Sequence, residues 1–450
     1  MDSTIERVAA YARALKFESL TEEAVHETKR RIIDTLGCAL GGYDAEPCRI
    51  ARKIAGRVKS DSGARILGTS HRTLPDLAAF SNGVMARYLD GNDAFPGGGG
   101  HPSDTIAPML AMAEDTGADG EGLLTAIALA YEVYYAFFRG ACMRDHGMDH
   151  VLYTAVGTAV GAAKLLGLDQ RKLAQTVSLA ITPNVALHAT RRGDLSMWKG
   201  CAAGNAARNG VFAALLAAEG MTGPENAING PDGLRELVGS FDLGELSERN
   251  GQFKVTQSNL KYFLSEYHSQ SPITAALQLS REIQPEDIES VTVHTYWFAW
   301  SEIGSEPEKW HPTTRETADH SLPFILSAVL IDREFSDAIF SPDRIRDPRV
   351  HALADKVSVK EDADFTRRFP SAIPCRLEIR TVRGELKTVT IDYPRGHVRN
   401  PMSDDEVETK FRALAGRVLP AARVDSALER LWNIDQEHDA KIVLDAICRE

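Results

Sequence analysis

The sequence has no pair of cysteines at the spacing that builds a local metal centre. Its six cysteines are scattered along 450 residues without a C-x-x-C pair, at positions 38, 48, 142, 201, 375 and 448. This distribution excludes a zinc ribbon or an iron–sulfur cluster that is built from one local motif. We therefore expect buried, reduced thiols in a cytosolic protein.

Common catalytic motifs are also missing. The chain has no H-E-x-x-H segment, no local 2-His-1-carboxylate motif, no G-x-S-x-G elbow and no P-loop lysine motif. The glycine run at 97–100 follows no strand, so it is not a dinucleotide fingerprint. We expect side chains to carry the chemistry, with no metal and no cofactor.

The sequence lacks an excess of positive charge and any long apolar run. With 51 Lys and Arg against 63 Asp and Glu, its formal net charge is −12. Nucleic acid and membrane surfaces are therefore not expected as partners. The first 20 residues carry charges throughout, unlike a secretory signal, and the apolar stretch 123–138 is interrupted by Glu132 and too short to span a bilayer. An acidic protein that binds an acidic substrate must gather cations locally.

Apolar spacing predicts a mainly α protein with a smaller α/β domain. Residues 1–259 carry apolar side chains at helical three- and four-residue spacing, with many Ala and Gly in the later segments. Around residue 260 the pattern changes to strands that alternate with helices, including a hairpin around 383–385. Helical patterns return after residue 395. We predict a helical domain from 1–259 and 396–450, and an α/β domain from 260–395.

One stretch, RYLDGNDAFPGGGGHPSDT at 87–105, is a candidate for chemistry. A helix that leads into Asp90 cannot continue through Pro96 and four glycines. The stretch therefore predicts a helix, a loop and a second helix, with Ser103 or Asp104 as its cap. Ordering four glycines costs entropy, which suits a backbone that approaches a ligand closely. A flexible surface loop is the alternative interpretation.

Four clusters of polar side chains at loop–helix junctions suit a polycarboxylic acid. They combine carboxylates, histidines and cations, which can bind carboxylates and move protons at neutral pH. Each residue alone could equally be a cap or a solvated surface group. The clusters are Asp90, Asp93 and His101; His146, His150 and Tyr153; Arg191, Arg192 and Lys199; and Lys261, Tyr262 and His268.

Several longer segments resemble the MmgE/PrpD family, which is typified by 2-methylcitrate dehydratase and cis-aconitate decarboxylase. The segments cover nearly the whole chain: RRIIDTLGCALGG, YLDGNDAFPGGGGHPSD, DHVLYTAVGTAVGAAKLLGL, MWKGCAAGNAARNGVFAALLAAEGMTGP, LKYFLSEYHSQSP, ADHSLPFILSAVLID and NPMSDDEVETKF. The resemblance implies a large helical domain made from both chain ends, a smaller α/β lid, and a homodimer.

The resemblance also implies site residues. It carries over Asp93, His101, His150, Lys199 and Lys261 as catalytic residues, and His268 as a substrate-binding residue. To the substrate-binding residues we add Asp90, Arg191, Arg192 and Tyr153. Phe324 stands where the family often has a tyrosine, and Ala94 stands where decarboxylases tend to have a threonine. The segment DHVLYT is more like the dehydratases.

These observations predict a lyase that removes water from 2-methylcitrate or a similar 2-hydroxy acid, which would place it in propionate metabolism. Lys199 and Lys261 would bind carboxylates and offset enolate-like charge. His101 and His150 would act as acid and base, and Asp93 would orient a histidine or serve as the base. Three alternatives stay open: epimerisation or isomerisation of a substituted succinate, decarboxylation of cis-aconitate, and a non-catalytic binding role.

Overall fold

Two hydrophobic cores organise the chain. The computed structural model describes residues 2–97, 99–246 and 252–449. The larger core takes side chains from 5–260 and again from 402–447, so both ends of the chain build one helical region. The smaller core takes its side chains from 273–379. The protein is therefore mainly α with a smaller α/β region, as the apolar patterns predict.

Small residues let the longest helices pack closely. Helix Pro75–Tyr88 contacts helix Trp198–Ala218, and a Cβ added at Gly83 would lie only 2.9 Å from the Cα of Gly204. A Cβ at Gly210 of the same helix would lie 2.5 Å from the carbonyl of Ala155. Because a larger side chain would separate these backbones, the glycines set the interhelical distance, as the many Ala and Gly of these segments suggest.

The helices of the larger region are Ser3–Ala14, Glu22–Gly41, Glu46–Ala55, Pro75–Tyr88, Ile106–Thr116, Gly120–Gly140, Val151–Leu165, Gln170–Ile181, Trp198–Ala218, Leu234–Val238, Asp404–Ala415, Ala421–Trp432 and Lys441–Ala446. Two short strands, Ala64–Arg65 and Arg72–Thr73, pair antiparallel beside them. The α/β region has the helices Gln270–Leu279, Trp297–Ile303, Arg315–Ala318, Leu322–Asp332, Pro342–Ile345, Pro348–Ala354 and Ala363–Arg368.

A four-stranded mixed sheet forms the other layer of the α/β region. Its strand order is Val357–Glu361, Ile288–Thr295, Cys375–Thr381 and Leu386–Ile391. The last two form the predicted hairpin, whereas the first, which pairs parallel to Ile288–Thr295, was not predicted. This edge strand is five residues long and ends in Lys360 and Glu361, so it carries little of the apolar alternation that marks a strand.

Two local predictions were wrong. The sequence pattern predicts a helix over 319–330, but that helix begins only at Leu322, because the hydroxyl of Ser321 accepts the backbone N–H of Phe324 and caps Leu322–Asp332; Asp319 and His320 lie in the turn that follows helix Arg315–Ala318. Neither Ser103 nor Asp104 caps the helix after the glycine run, since both lie inside a 3₁₀ turn that precedes it.

Other expectations have mixed outcomes. Five cysteines are buried and Cys142 is exposed, and all six are free thiols. Across the described parts of the chain, no helix has both the length and the apolarity to cross a membrane. The exact domain boundaries and the homodimer stay predictions.

Candidate active site

A small cavity of about 60 Å³ lies where the two regions meet. Both regions contribute to its wall, so its shape depends on how they are held together. Titratable side chains dominate the wall. The lining residues are Arg87, Asp90, Gly99, His101, Arg144, His150, His188, Arg191, Glu266, His268, Phe298, Glu302 and His320.

The loop after helix Pro75–Tyr88 turns Asp90 into this cavity. Asp90 has a φ of +52°, a left-handed backbone conformation that residues other than glycine adopt at a cost in free energy. Its N–H donates to the carbonyl of Arg87 at 3.1 Å. Backbone strain of this kind persists where surrounding contacts fix it. Here the contacts are ionic.

Three buried cations converge on the Asp90 carboxylate. Its Oδ1 accepts from Arg87 and from the Nζ of Lys261 at 2.6 Å, and its Oδ2 accepts from the Nζ of Lys199 at 3.0 Å. Burial opposes ionisation of Asp90, but the three cations outweigh it and hold its pKa well below the usual value. Asp90 is therefore a permanent anion that fixes the positions of both lysines.

Lys199 also pairs with Asp319, which lies in the turn between two helices of the α/β region. Its Nζ lies 2.8 and 2.9 Å from the two Asp319 oxygens. Asp90, Asp319 and His320 offer ligand atoms within 4.8 Å of one another, a spacing that could hold a metal ion. The ammonium of Lys199 already lies between the two carboxylates, so this cluster is a lysine site rather than a metal site.

His101 presents a neutral ring to the cavity. Its Nδ1 lies 2.7 Å from the carbonyl oxygen of Asp93, and a carbonyl can only accept, so Nδ1 carries the proton. The Nε2 lone pair is left available. Burial lowers the pKa of His101 well below 6.5, and the charges of Arg87 and Lys261 lower it further. His101 is thus placed as a general base.

The glycine loop brings His101 to this position. Gly97 and Gly99 have positive φ, and Gly99 lines the cavity. A Cβ on Gly100 would lie 3.0 Å from the Phe138 ring. The backbone N–H of Phe95 donates to Gly100, which closes the loop. Gly98, part of the predicted run, lies outside the described residues.

His150 faces the cavity beside His101, with ring centroids 5.7 Å apart. Its Nδ1 lies 2.9 Å from Asp149, and its Nε2 has no hydrogen-bond partner within the described ranges. Arg191 also pairs with Asp149, and its Nη2 lies 3.0 Å from Oδ2. Arg191 lines the cavity, so its guanidinium is placed to bind a ligand carboxylate.

Glu266 is the carboxyl group on the cavity wall that is most able to hold a proton. Its Oε2 accepts the backbone N–H of His268 at 2.6 Å. Burial raises its pKa to about 8, despite the opposing charge of Lys261. Most Glu266 side chains are therefore protonated at neutral pH, so Glu266 can act as a general acid.

The structure brings together most of the residues predicted from the sequence. Asp90, His101, His150, Arg191 and His268 line the cavity. Lys199 and Lys261 are buried directly behind Asp90.

Other predicted residues lie outside the cavity wall. The Asp93 carboxylate accepts from Tyr131 and from the Ser103 N–H, so Asp93 meets His101 only through its carbonyl. The Tyr153 hydroxyl donates to the carbonyl of Ala141, and Arg192 is half-exposed near Glu306. His146 lies in an exposed 3₁₀ turn, and the side chain of Tyr262 is half-exposed.

The two positions at which the sequence departs from the family pattern also lie away from the cavity. Phe324 packs in the smaller hydrophobic core. Ala94 pairs through its backbone with Asn259 and packs against Tyr267.

Sequence reasoning missed several wall residues, namely Arg87, Arg144, His188, Glu266, Phe298, Glu302 and His320. Glu266 and His320 lie inside the quoted segments LKYFLSEYHSQSP and ADHSLPFILSAVLID, so a signal for them was present. Arg144 and Glu302 lie in segments without any motif, and only the fold brings them together.

Comparisons with known proteins agree with this architecture. Residues 6–242 match the MmgE/PrpD N-terminal domain, and residues 263–434 match the MmgE/PrpD C-terminal domain. A 2-methylcitrate dehydratase of Escherichia coli K12 is 27% identical over 455 residues, which cover 92% of this chain and 91% of the relative. A 2-methylcitrate dehydratase-like protein of Aspergillus oryzae is 27% identical, covering 95% and 92%. A human cis-aconitate decarboxylase is 25% identical, covering 98% and 94%.

Proposed function

Because this chain belongs to the MmgE/PrpD family, we propose that it is a lyase that removes water from 2-methylcitrate or a closely similar 2-hydroxy tricarboxylate. One observation carries the proposal. A neutral histidine with an available Nε2, His101, and a carboxyl group that holds its proton, Glu266, line the same small cavity. Elimination of water needs one base and one acid, and the dehydratase names of the relatives support this choice.

The first half of the reaction takes a proton from the carbon next to a carboxylate. His101 Nε2 accepts that proton, and the electron pair is left on the carbon and its carboxylate. Arg191, which lines the cavity, binds a substrate carboxylate. The positive charges of Lys199 and Lys261 behind Asp90 favour the negative charge that develops. Their burial strengthens this effect, since the local dielectric constant is low.

The second half breaks the bond between carbon and hydroxyl. Glu266 gives its proton to the departing hydroxyl, which leaves as water, and the electron pair forms the double bond. His101 gains a proton and Glu266 loses one, so a single proton transfer through solvent restores both groups. The product is the unsaturated acid plus one water molecule.

A turnover assay tests this proposal directly. The protein is incubated with 2-methylcitrate, citrate and citramalate, and the formation of a conjugated double bond is followed by ultraviolet absorbance while headspace carbon dioxide is measured. We expect absorbance to rise on at least one of the two tricarboxylates without release of carbon dioxide. No change with any of these acids would contradict the proposal.

Decarboxylation of cis-aconitate is a second candidate, and the human relative favours it. It shares the need for a proton donor but loses carbon dioxide instead of hydroxide. Carbon dioxide release from cis-aconitate, with no water elimination from 2-methylcitrate, would select it.

The acid role of Glu266 predicts the pH dependence. We expect kcat/KM of the wild type to fall above pH about 8, because Glu266 then loses the proton that it donates. In Glu266→Gln the amide oxygen can still accept the His268 N–H. We expect kcat/KM to fall about 10²–10⁴-fold and to lose its alkaline limb. The exposed Glu289→Gln is the matched control. An alkaline limb that persists in Glu266→Gln would assign the acid to another group.

A further inference from the structure

One ion pair on the cavity wall joins the two regions and takes no part in the proposed proton transfers. Arg144, in a turn of the helical region, pairs with Glu302 of helix Trp297–Ile303 in the α/β region. Both side chains are largely buried, and both residues line the cavity. Such a pair is costly to bury unless its geometry is good, so its presence beside a binding site needs an explanation.

The guanidinium of Arg144 is held on three sides. It lies 4.2 Å over the Phe298 ring and 5.5 Å over the Trp297 ring, and its Nη2 donates to the Ser301 hydroxyl at 3.2 Å. Its Nη1 has no hydrogen-bond partner among the described residues. Arg144 therefore keeps its position when Glu302 moves, and it can offer two N–H groups to a planar carboxylate.

Glu302 is the most weakly held carboxylate on the wall. Glu266 accepts a backbone N–H and Asp90 is held by three cations, whereas Glu302 is paired with Arg144 by charge and its Oε1 accepts no hydrogen bond from the described residues. Burial raises the pKa of Glu302, although the charges of Arg144 and Arg192 oppose this. Little free energy should therefore be lost when a substrate carboxylate takes the place of the Glu302 carboxylate beside Arg144.

The cavity volume requires some wall group to move. About 150 Å³ is needed for a benzene-sized molecule, whereas this cavity measures about 60 Å³. A tricarboxylate has at least twice as many heavy atoms as benzene, so we expect a side chain of the wall to move when it binds. When Glu302 leaves Arg144, it vacates a space that has the size and charge preference of a carboxylate.

We propose that Arg144 binds a carboxylate of the substrate remote from the reacting carbons, and that Glu302 occupies this position as an internal carboxylate until the substrate replaces it. The inference rests on the proposed function, because it assigns the third carboxylate of a tricarboxylate to a subsite. Arg191 and the lysine cluster serve the carboxylate beside the reacting carbon, whereas Arg144, which pairs with Glu302, offers a further cation on the same wall. The subsite makes Arg144 a determinant of specificity for tricarboxylates over dicarboxylates.

The test compares a substrate that has the third carboxylate with one that lacks it. In Arg144→Met we expect kcat/KM for 2-methylcitrate to fall about 10- to 100-fold, the loss of a charge-assisted bidentate contact, while kcat/KM for citramalate stays within about twofold. The exposed Arg139→Met, on the preceding helix and off the cavity wall, is the control and should change neither value. Equal losses on both acids would overturn the subsite.

The conservative variant Glu302→Gln distinguishes displacement of Glu302 by the substrate from a purely structural role of the ion pair. It removes the internal charge and keeps the shape, so we expect KM for 2-methylcitrate to fall several-fold with kcat unchanged. If the ion pair served only to hold the two regions together, KM would rise or stay the same, and the proposal would be wrong. This variant also keeps the test decisive if Arg144→Met does not fold.

Calorimetric binding distinguishes failure of the subsite from failure of the proposed function. The probes are propane-1,2,3-tricarboxylate, which has no hydroxyl to eliminate, and butanedioate. We expect the wild type to bind the tricarboxylate at least 10-fold more tightly than Arg144→Met does, and the two to bind butanedioate equally. Arg144-dependent binding without any turnover would support the subsite and refute the lyase. Arg144-independent binding with normal dehydration would refute the subsite alone.

Discussion

Replacement of His101 by asparagine should lower kcat by about 10²–10⁴-fold, the usual contribution of a general base. The asparagine amide can still donate to the carbonyl of Asp93, as Nδ1 does now at 2.7 Å, so the loop should keep its path. What the variant lacks is the Nε2 lone pair. The effect should therefore appear in kcat rather than in KM, since substrate carboxylates are bound by other groups.

Two measurements accompany this variant. Exchange of the substrate C–H proton in deuterated water should be lost together with turnover, because His101 removes that proton. His294→Asn, on a strand of the sheet and outside the cavity, is the control and should retain both activities. Near-normal turnover by His101→Asn would move the role of base to another group, with His150 as the next candidate.

Replacement of Asp90 by asparagine should produce the largest loss of stability. Three buried cations lose their common anion, and breaking a buried ion pair typically costs about 3–5 kcal/mol. We expect a loss of this size in the free energy of unfolding from urea denaturation at pH 7. Asp343→Asn, fully exposed, is the control and should change it by less than about 0.5 kcal/mol.

The same variant has a defined pH dependence. The folded-state pKa of Asp90 lies below its unfolded-state value of about 3.9, so its contribution is fully present above that pH. It is lost only as the pH falls through the folded-state pKa. The stability difference between wild type and Asp90→Asn should thus be constant from pH 7 to about 5 and shrink below about pH 4. A difference that shrinks already near pH 6 would mean that Asp90 is not held as a permanent anion.

The sequence predicts the helical frame well, because helical periodicity and glycine positions are local signals. It also finds the loop that carries Asp90 and His101, since Pro96 and the glycines can only end a helix. Local sequence does not show which of the two aspartates in that loop faces the cations. Asp90 and Asp93 are three residues apart, and only the fold shows that Asp90 faces the cations while the Asp93 carboxylate turns to Tyr131 and Ser103.

Residues from distant segments were harder to predict. The spacing of 319–330 suits one helix, yet the helix starts only after Ser321, which leaves Asp319 and His320 in a turn from which His320 lines the cavity. Arg144 and Glu302 are 158 positions apart in the chain and carry no motif, so their pairing follows from tertiary structure alone. The acid character of Glu266 comes from burial, which sequence spacing does not report.

Proton NMR of the wild type with 2-methylcitrate in deuterated water tests the central claim most directly. The account predicts signals of an unsaturated tricarboxylate that grow as the 2-methylcitrate signals decline, and their absence with His101→Asn. It would be contradicted if neither 2-methylcitrate nor citrate in a parallel sample formed an unsaturated acid, or if the C–H proton exchanged without formation of a double bond.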